Sequence, residues 1–394
     1  MKIGIYNDWW YPDLVGGTER SALEISQGLI SHYGASQIVI ATLSNSVRTK
    51  ESIHGGTNQI RVGTFTLRSN YITTLSVRLL ERIRLSLDIV SPLRVARAFR
   101  RHGVKIVIVH NMDRVGLKFI FILKRIYRIQ IIRIVHDLSD TCIRRTRFKN
   151  NENCKQTCFS CRPKSMIYKR ASSVYFNSVI CNSKFTMDKL LSLHYVPKNI
   201  NYGYVTFSPN NMEPIVIRDR ISMGVAKIGY VGRISPEKGI ETLMESLKIV
   251  KSNFQIDSEL FIVGKGNQDY IANLRRFASN LEIVAHFVDY NSAPFEYLRS
   301  RVDLIVIPSK WEETLGRVAF EASENGFQVM VSDIGGLPEA AALSGKDFFT
   351  FTPGDVEDLA RSIRSFVSDG KPNRKGMVAP KPILKEIITM IDGN

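Results

Sequence analysis

Residues 226–240 read Ala-Lys-Ile-Gly-Tyr-Val-Gly-Arg-Ile-Ser-Pro-Glu-Lys-Gly-Ile, and the change of pattern inside this stretch decides the fold. Ala226–Val231 is a short apolar run of strand type. Gly232 to Gly239 reads as a loop, and from Ile240 the apolar positions Ile240, Leu243, Met244 and Leu247 recur at helical spacing. A strand that turns through a glycine-flanked loop into an amphipathic helix is the repeating unit of a parallel, doubly wound α/β sheet. Downstream, strand-like runs follow at 258–263, 281–287, 304–308, 328–332 and 348–351. Upstream they lie at 2–6, 37–42, 104–109, 131–135 and 178–181, with a helical pattern over 19–30. Between the two sets, residues 206–214 carry two prolines among small polar residues and read as a linker. Two α/β domains are therefore expected, at 1–207 and 213–378, followed by a helical segment at 379–394 with Pro382 at its first position.

A chain of 394 residues suits two domains, because single cores stop growing near ~250–300 residues. Hydrophobic residues make up 44% and charged residues 23%, which excludes a disordered chain. Met1 to Asp8 reads as a first strand rather than a signal peptide. The most apolar long stretch, 117–135, is cut by Lys118, Lys124, Arg125, Arg128 and Arg133, so a spanning helix is not expected. The expectation is a cytoplasmic protein, at most peripheral at the inner face of the membrane.

Lysine plus arginine total 54 against 37 acidic residues, a net charge of +17 that calls for an anionic partner. Between Arg78 and Arg101 seven arginines alternate with aliphatic residues. That composition suits an anionic membrane surface, or else a solvated helix face. Cys142, Cys154, Cys158 and Cys161 cluster at spacing C-x11-C-x3-C-x2-C. Four thiolates would close a structural zinc site, with a disulfide or free thiols as the alternatives. Cys181, in a strand-like run, reads as a small buried residue.

Ligands of open α/β sheets bind at the carboxyl ends of strands, and the chain's motifs sit at such ends. Gly16-Gly17-Thr18-Glu19 joins the first strand to its helix, where backbone N–H groups favour an anion. Gly232-Arg233 and Lys238-Gly239 place two cations around one loop, a pattern that neutralises a diphosphate. Glu313 and Glu321, eight apart, would face one side of a helix that begins near Leu315. Gly335-Gly336-Leu337-Pro338-Glu339 reads as a strand-to-helix turn. Val263-Gly264-Lys265-Gly266 is a weaker signal of the same kind.

Together these elements resemble the family 4 retaining glycosyltransferases of GT-B fold, over almost the whole chain. The resemblance rests on the GGxE loop at Gly16, Gly17 and Glu19, and on Gly232, Arg233, Lys238 and Gly239. It also rests on the Glu313/Glu321 pair, on Gly335 to Glu339, and on His136 at a strand end. It implies two Rossmann-like doubly wound domains facing across a cleft, with the last segment packing back on the first domain. Arg233 and Lys238 would bind the diphosphate of a nucleotide-sugar donor, and Glu313 would meet the transferred sugar. Backbone amides around Leu315, Gly316, Arg317 and Val318 would assist, Glu321 would hold the ribose, and His136 would touch the donor sugar. No catalytic metal is implied. Phe287-Val288-Asp289, Thr314 and Arg317 depart from the family's commoner residues.

The acceptor is expected to be a saccharide, lipid-diphosphate-linked, in O-antigen or capsule assembly. A GT-B sugar-nucleotide epimerase is the alternative within the fold, disfavoured by Glu313 and Glu321. A nucleic-acid-binding protein is the distant one, since the aromatics are not interleaved with the basic residues in one module. No nucleic-acid partner is expected.

Overall fold

The computed structural model describes residues 1–11, 16–44, 46, 48–64, 84–85, 87–195, 197–205, 225–289, 293–377 and 380–393. The expected linker at 206–214, both expected domain boundaries and Arg78 and Arg82 lie outside these residues. The chain divides into two compact units, one of Met1–Ile143, Phe159–Phe207 and Lys381–Asn394, the other of Arg144–Cys158 and Ser208–Pro380.

The first unit is built on an eight-stranded sheet. Its strands are β1 (Lys2–Tyr6), β2 (Ile38–Ser44), β3 (Lys50–His54), β4 (Thr57–Gly63), β5 (Val104–Val109), β6 (Gln130–Val135), β9 (Ser178–Cys181) and β10 (Ile200–Tyr202). The spatial order is β10-β9-β6-β5-β1-β2-β4-β3, parallel except for the β3–β4 pairing at one edge. Side chains of β1, β5 and β6 alternate between two cores, as the two-residue strand period requires. Ile3, Ile5, Ile106, Ile108, Ile132 and Ile134 face one helix layer, and Val107, Val109, Ile131 and Val135 face the other.

The first of these layers includes the helix Gly17–Tyr33 and the last helix, Ile383–Asp392. Ile383, Ile387 and Ile391 recur every four residues and join Ile25 and Leu29 in that core. The entry to this helix is fixed by main-chain bonds: the Tyr204 N–H donates to the Lys381 carbonyl and the Ile383 N–H to the Tyr204 carbonyl, each at 2.8 Å. Pro382 is the residue before the helix, not its first position. With φ −68° and ψ 129° it is extended, so the helix starts one residue later than the proline suggested.

The second unit holds six parallel strands: β11 (Val225–Val231), β12 (Asp257–Gly264), β13 (Val284–Asp289), β14 (Leu304–Ile307), β15 (Gln328–Ser332) and β16 (Phe349–Phe351). Their order is β13-β12-β11-β14-β15-β16. The helix Ile240–Phe254 buries Ile240, Leu243, Met244 and Leu247, the four positions that set its spacing in the sequence. In both sheets the order reverses beside the first strand, between β1 and β5 and between β11 and β14. These are the topological switch points, where diverging loops leave a crevice at the carboxyl ends of the strands.

The Arg-rich helix, Val90–Arg101, turns Val95, Ala96 and Phe99 into the core, while Arg94, Arg97, Arg100 and Arg101 are exposed. Val95, Ala96 and Phe99 are therefore core, whereas Val90 at the helix start and Ile89 before it are exposed, 55% and 61%, beside the solvated arginines.

Candidate functional site at the switch points

In the second unit, the loops after β11 and β14 meet through an ion pair. Lys238 Nζ lies 2.7 Å from Glu313 Oε1, with the two side chains only 16% and 10% exposed. The Ser309 hydroxyl donates to the same oxygen. Lys238 also stands over the Trp311 ring, 5.5 Å from its centroid. The Lys310 N–H donates to the Glu237 carbonyl at 2.9 Å, so the two loops are joined by main chain as well. Such contact needs Gly239: it has φ 70°, and a Cβ there would sit 2.0 Å from the Pro308 carbonyl oxygen.

The turn after β15 closes the site from the other side. The Gly336 N–H donates to the Glu313 carbonyl at 2.7 Å. A Cβ on Gly335, itself at φ 63°, would fall 2.5 Å from that same oxygen. The double glycine thus serves close approach to the Glu313 main chain, beyond turning strand into helix.

The helix that follows begins at Arg317, not near Leu315, so Glu313 belongs to the preceding loop. The expectation that Glu313 and Glu321 share a helix face fails for this reason: Gly316 takes φ 82° and redirects the chain between them. Gly316 makes no side-chain cap, which leaves the first-turn amides at Arg317 and Val318 to other partners, while Leu315 is buried beneath them. Glu321 pairs with Arg317 one turn away, Nη2 to Oε1 at 3.1 Å. Arg233 is not brought onto the Lys238–Glu313 pair. It is 60% exposed and pairs with Glu237 of its own loop. Two buried polar atoms in these loops, Trp311 Nε1 and Ser235 Oγ, have no hydrogen-bond partner among the described residues. Orphaned polar atoms beside a crevice are what a binding site presents before its ligand arrives.

In the first unit, Gly16 stands at the start of the helix Gly17–Tyr33, and Glu19 of its first turn is buried. His136 follows β6, and its Nε2 lies 2.9 Å from Nδ1 of His110, which follows β5. The rings stack with centroids 5.2 Å apart. Burial, then the neighbouring His136 and Arg133, hold His110 well below the usual imidazole range, so this histidine is neutral. At the switch point itself Asp8 is buried, accepting from the Tyr6 hydroxyl at 2.7 Å and from the Arg114 N–H at 2.9 Å. Burial, reinforced by Asp113, pushes its carboxyl up to about 7. Sequence reading passed over Asp8 and His110, although both directly follow or adjoin strand ends, the one signal that would have found them.

The four cysteines do not gather into a zinc site: among the described residues no three His, Cys, Asp or Glu side chains are grouped to hold a metal. Cys142 and Cys161 lie in the first unit with sulfurs 3.7 Å apart, whereas Cys154 and Cys158 group with the second. Cys181 is buried in β9 as a small core residue.

Residues 216–378 match the family model described as glycosyl transferases group 1. A Klebsiella pneumoniae protein described as an "Uncharacterized 42.6 kDa protein in cps region" is 24% identical over 91% of this chain and 92% of its own. Among solved structures, Anabaena Alr3699/HepE in complex with UDP-glucose superposes with TM-score 0.62 at 18% identity, covering 94% of this chain and 90% of that one. The lipopolysaccharide outer core galactosyltransferase WaaB, in apo form, gives TM-score 0.67 at 15% identity, covering 100% and 99%.

The pH dependence of stability follows from Asp8. Its folded carboxyl holds a proton up to about pH 7, far above the ordinary value near 4, so the folded state binds more protons in that interval. Stability from this group is greatest below pH ~4 and is lost as pH rises to ~7. In urea denaturation, Asp8→Asn should therefore gain on the wild type by a few kcal/mol between pH 4 and 7. A difference that does not change with pH would show Asp8 ionised throughout.

The six-strand order and the two switch-point sheets give the chain the GT-B fold of these structures, and residues 216–378, which hold the glycine-lined loops around Lys238 and Glu313, match the group 1 glycosyl transferases.

Proposed function

We propose that the enzyme moves a sugar, with retention of configuration, from a nucleotide-sugar donor to a growing cell-surface polysaccharide of O-antigen or capsule type. The observation that carries this is the buried Lys238–Glu313 pair at the second switch point. A donor diphosphate would take Lys238 and Arg233, and the transferred sugar would take the released Glu313. The exchange at Arg233 is cheap, because an ion pair this exposed is worth about 0–1 kcal/mol, whereas bonds from charged donors to phosphate are worth roughly 1.5–3 kcal/mol. Amides at Leu315, Gly316, Arg317 and Val318 would add dipoles, and Glu321 would hold the ribose. In the first unit, His136 and the Gly16-Gly17 loop remain the residues suited to sugar and phosphate contact. The leaving group's charge is met by protein cations, without a catalytic metal. HepE's complex with UDP-glucose and the Klebsiella relative's cps region favour the donor and pathway parts of this reading.

The acceptor in this reading is lipid-diphosphate-linked, and the first unit docks on an anionic membrane. Support comes from the charge of +17 and from an open groove of about 900 Å³ in that unit. Phe121, Ile126, Ile167 and Val174 line it, are at least 39% exposed, and are bordered by Lys118, Arg125 and Arg170. Apolar side chains rimmed by cations suit an anionic lipid surface. No helix among the described residues is long and apolar enough to cross a membrane.

Thermal shift against a panel of nucleotide sugars should select one donor, and turnover of that donor should survive EDTA. Lys238→Ala should lower turnover on the order of ten- to a hundredfold. Chelation that stops turnover without unfolding, reversed by magnesium, would overturn the metal-free reading. Co-sedimentation should show binding to anionic vesicles but not neutral ones, weakened by salt. Ile126→Glu with Ile167→Glu should abolish it without changing the donor's thermal shift. Equal binding to both vesicle types would remove the support for a lipid-linked acceptor.

A further inference from the structure

Between Ile143 and Phe159 the chain groups with the second unit, and it carries a small hairpin there. Its strands are β7 (Phe148–Lys149) and β8 (Glu152–Asn153), joined by Asn150-Asn151. Both turn residues are left-handed, at φ 53° and 62°, which fits the two-residue hairpin turn that asparagine favours. The base of the hairpin is doubly fixed. The Cys154 N–H donates to the Arg147 carbonyl at 2.6 Å, and the buried Arg147 guanidinium donates to the Cys154 carbonyl at 3.0 Å. In the first unit, the two ends of the excursion stand together where Cys142 and Cys161 meet.

Register places Asn153 opposite Phe148, and its side-chain amide reaches the loop that carries Glu313. Asn153 Nδ2 donates to the Lys310 carbonyl at 2.9 Å, and Asn153 Oδ1 accepts from the Glu312 N–H at 2.9 Å. The amide thus pairs with main chain on both sides of Trp311, as a neighbouring strand would. Glu313 is the next residue. Lys238 and Ser309 hold its carboxylate, and Gly336 holds its carbonyl. Asn153 adds a restraint on the main chain that leads into it, beside the Lys310–Glu237 bond.

We propose that Asn153 is a positioning residue for the sugar end of the donor. It fixes the 310–312 main chain so that Glu313 and Trp311 keep their placement when Lys238 turns to the diphosphate. The proposal rests on the donor-site reading above. It follows that Asn153 acts on the sugar, which Glu313 meets, and not on the nucleoside diphosphate. Pre-organised groups of this kind act on turnover more than on binding of the distal part of a substrate.

The test uses the full chain, its Asn153→Ala and Asn153→Asp variants, and the nucleotide sugar selected by thermal shift together with its free nucleoside diphosphate. Hydrogen exchange should show the Glu312 amide of Asn153→Ala opening about tenfold faster, with the sheet amides unchanged. Turnover number with the nucleotide sugar should fall about tenfold, while affinity for the diphosphate stays within about twofold. Asn153→Asp keeps the acceptor for Glu312 and should recover part of both losses. Unchanged exchange, unchanged turnover despite faster exchange, or an equal fall in diphosphate affinity would each overturn the proposal. If no nucleotide sugar binds or turns over in the wild type, the donor-site reading fails, while the exchange result still decides whether the clamp exists.

Discussion

The site of the second unit is organised around one largely buried ion pair. Lys238 and Glu313 come from loops 75 residues apart, after strands that are neighbours only because the sheet reverses its order there. Removing either charge leaves the other desolvated, a loss that costs about 3–5 kcal/mol in buried pairs. The rest of the site is arranged to keep that pair satisfied. Ser309 adds a hydrogen bond, Gly336 anchors the carboxylate's own main chain, and Gly239 and Gly335 let three loops approach within hydrogen-bond distance. A pair whose partners must be in place together also defines a site that a charged ligand can open, because a diphosphate offers Lys238 a replacement anion.

The two other ion pairs nearby behave differently. Arg233–Glu237 and Arg317–Glu321 each lie within one loop or helix, four residues apart, and Arg233 is mostly exposed. Solvent screens the Arg233–Glu237 contact, so it yields easily, whereas Arg317–Glu321, 14% and 21% exposed, is shielded but local to one helix turn. The contrast separates a cation that holds the architecture, Lys238, from one held in reserve, Arg233, although the sequence presents them as an equivalent pair flanking one loop.

Much of this was legible in the sequence because it is carried by local pattern. Apolar runs of strand length gave most of the strands, including 2–6, 104–109, 178–181 and 328–332 to the residue. Glycines at strand ends marked the loops after β11 and β15. Strands 50–54 and 57–63 escaped: β3, at the sheet edge, is exposed along its whole length and shows no alternation. Where Glu313 sits depends on the φ of Gly316, which residue spacing does not express. Asn153 has no local signal at all: its partners lie 157 and 159 residues away, and only tertiary structure brings them together. The cysteine cluster misled for a related reason: spacing suggested convergence, while among the described residues no three His, Cys, Asp or Glu side chains group to hold a metal.

Lys238 and Glu313 act as one unit. A double-mutant cycle in urea denaturation tests it most directly, using Lys238→Met, Glu313→Gln and the two combined. If the account is right, each single variant loses about 3 kcal/mol and the double variant loses little more than either one. Losses that simply add would show two independent side chains, and the pair would no longer explain the arrangement of the loops around it.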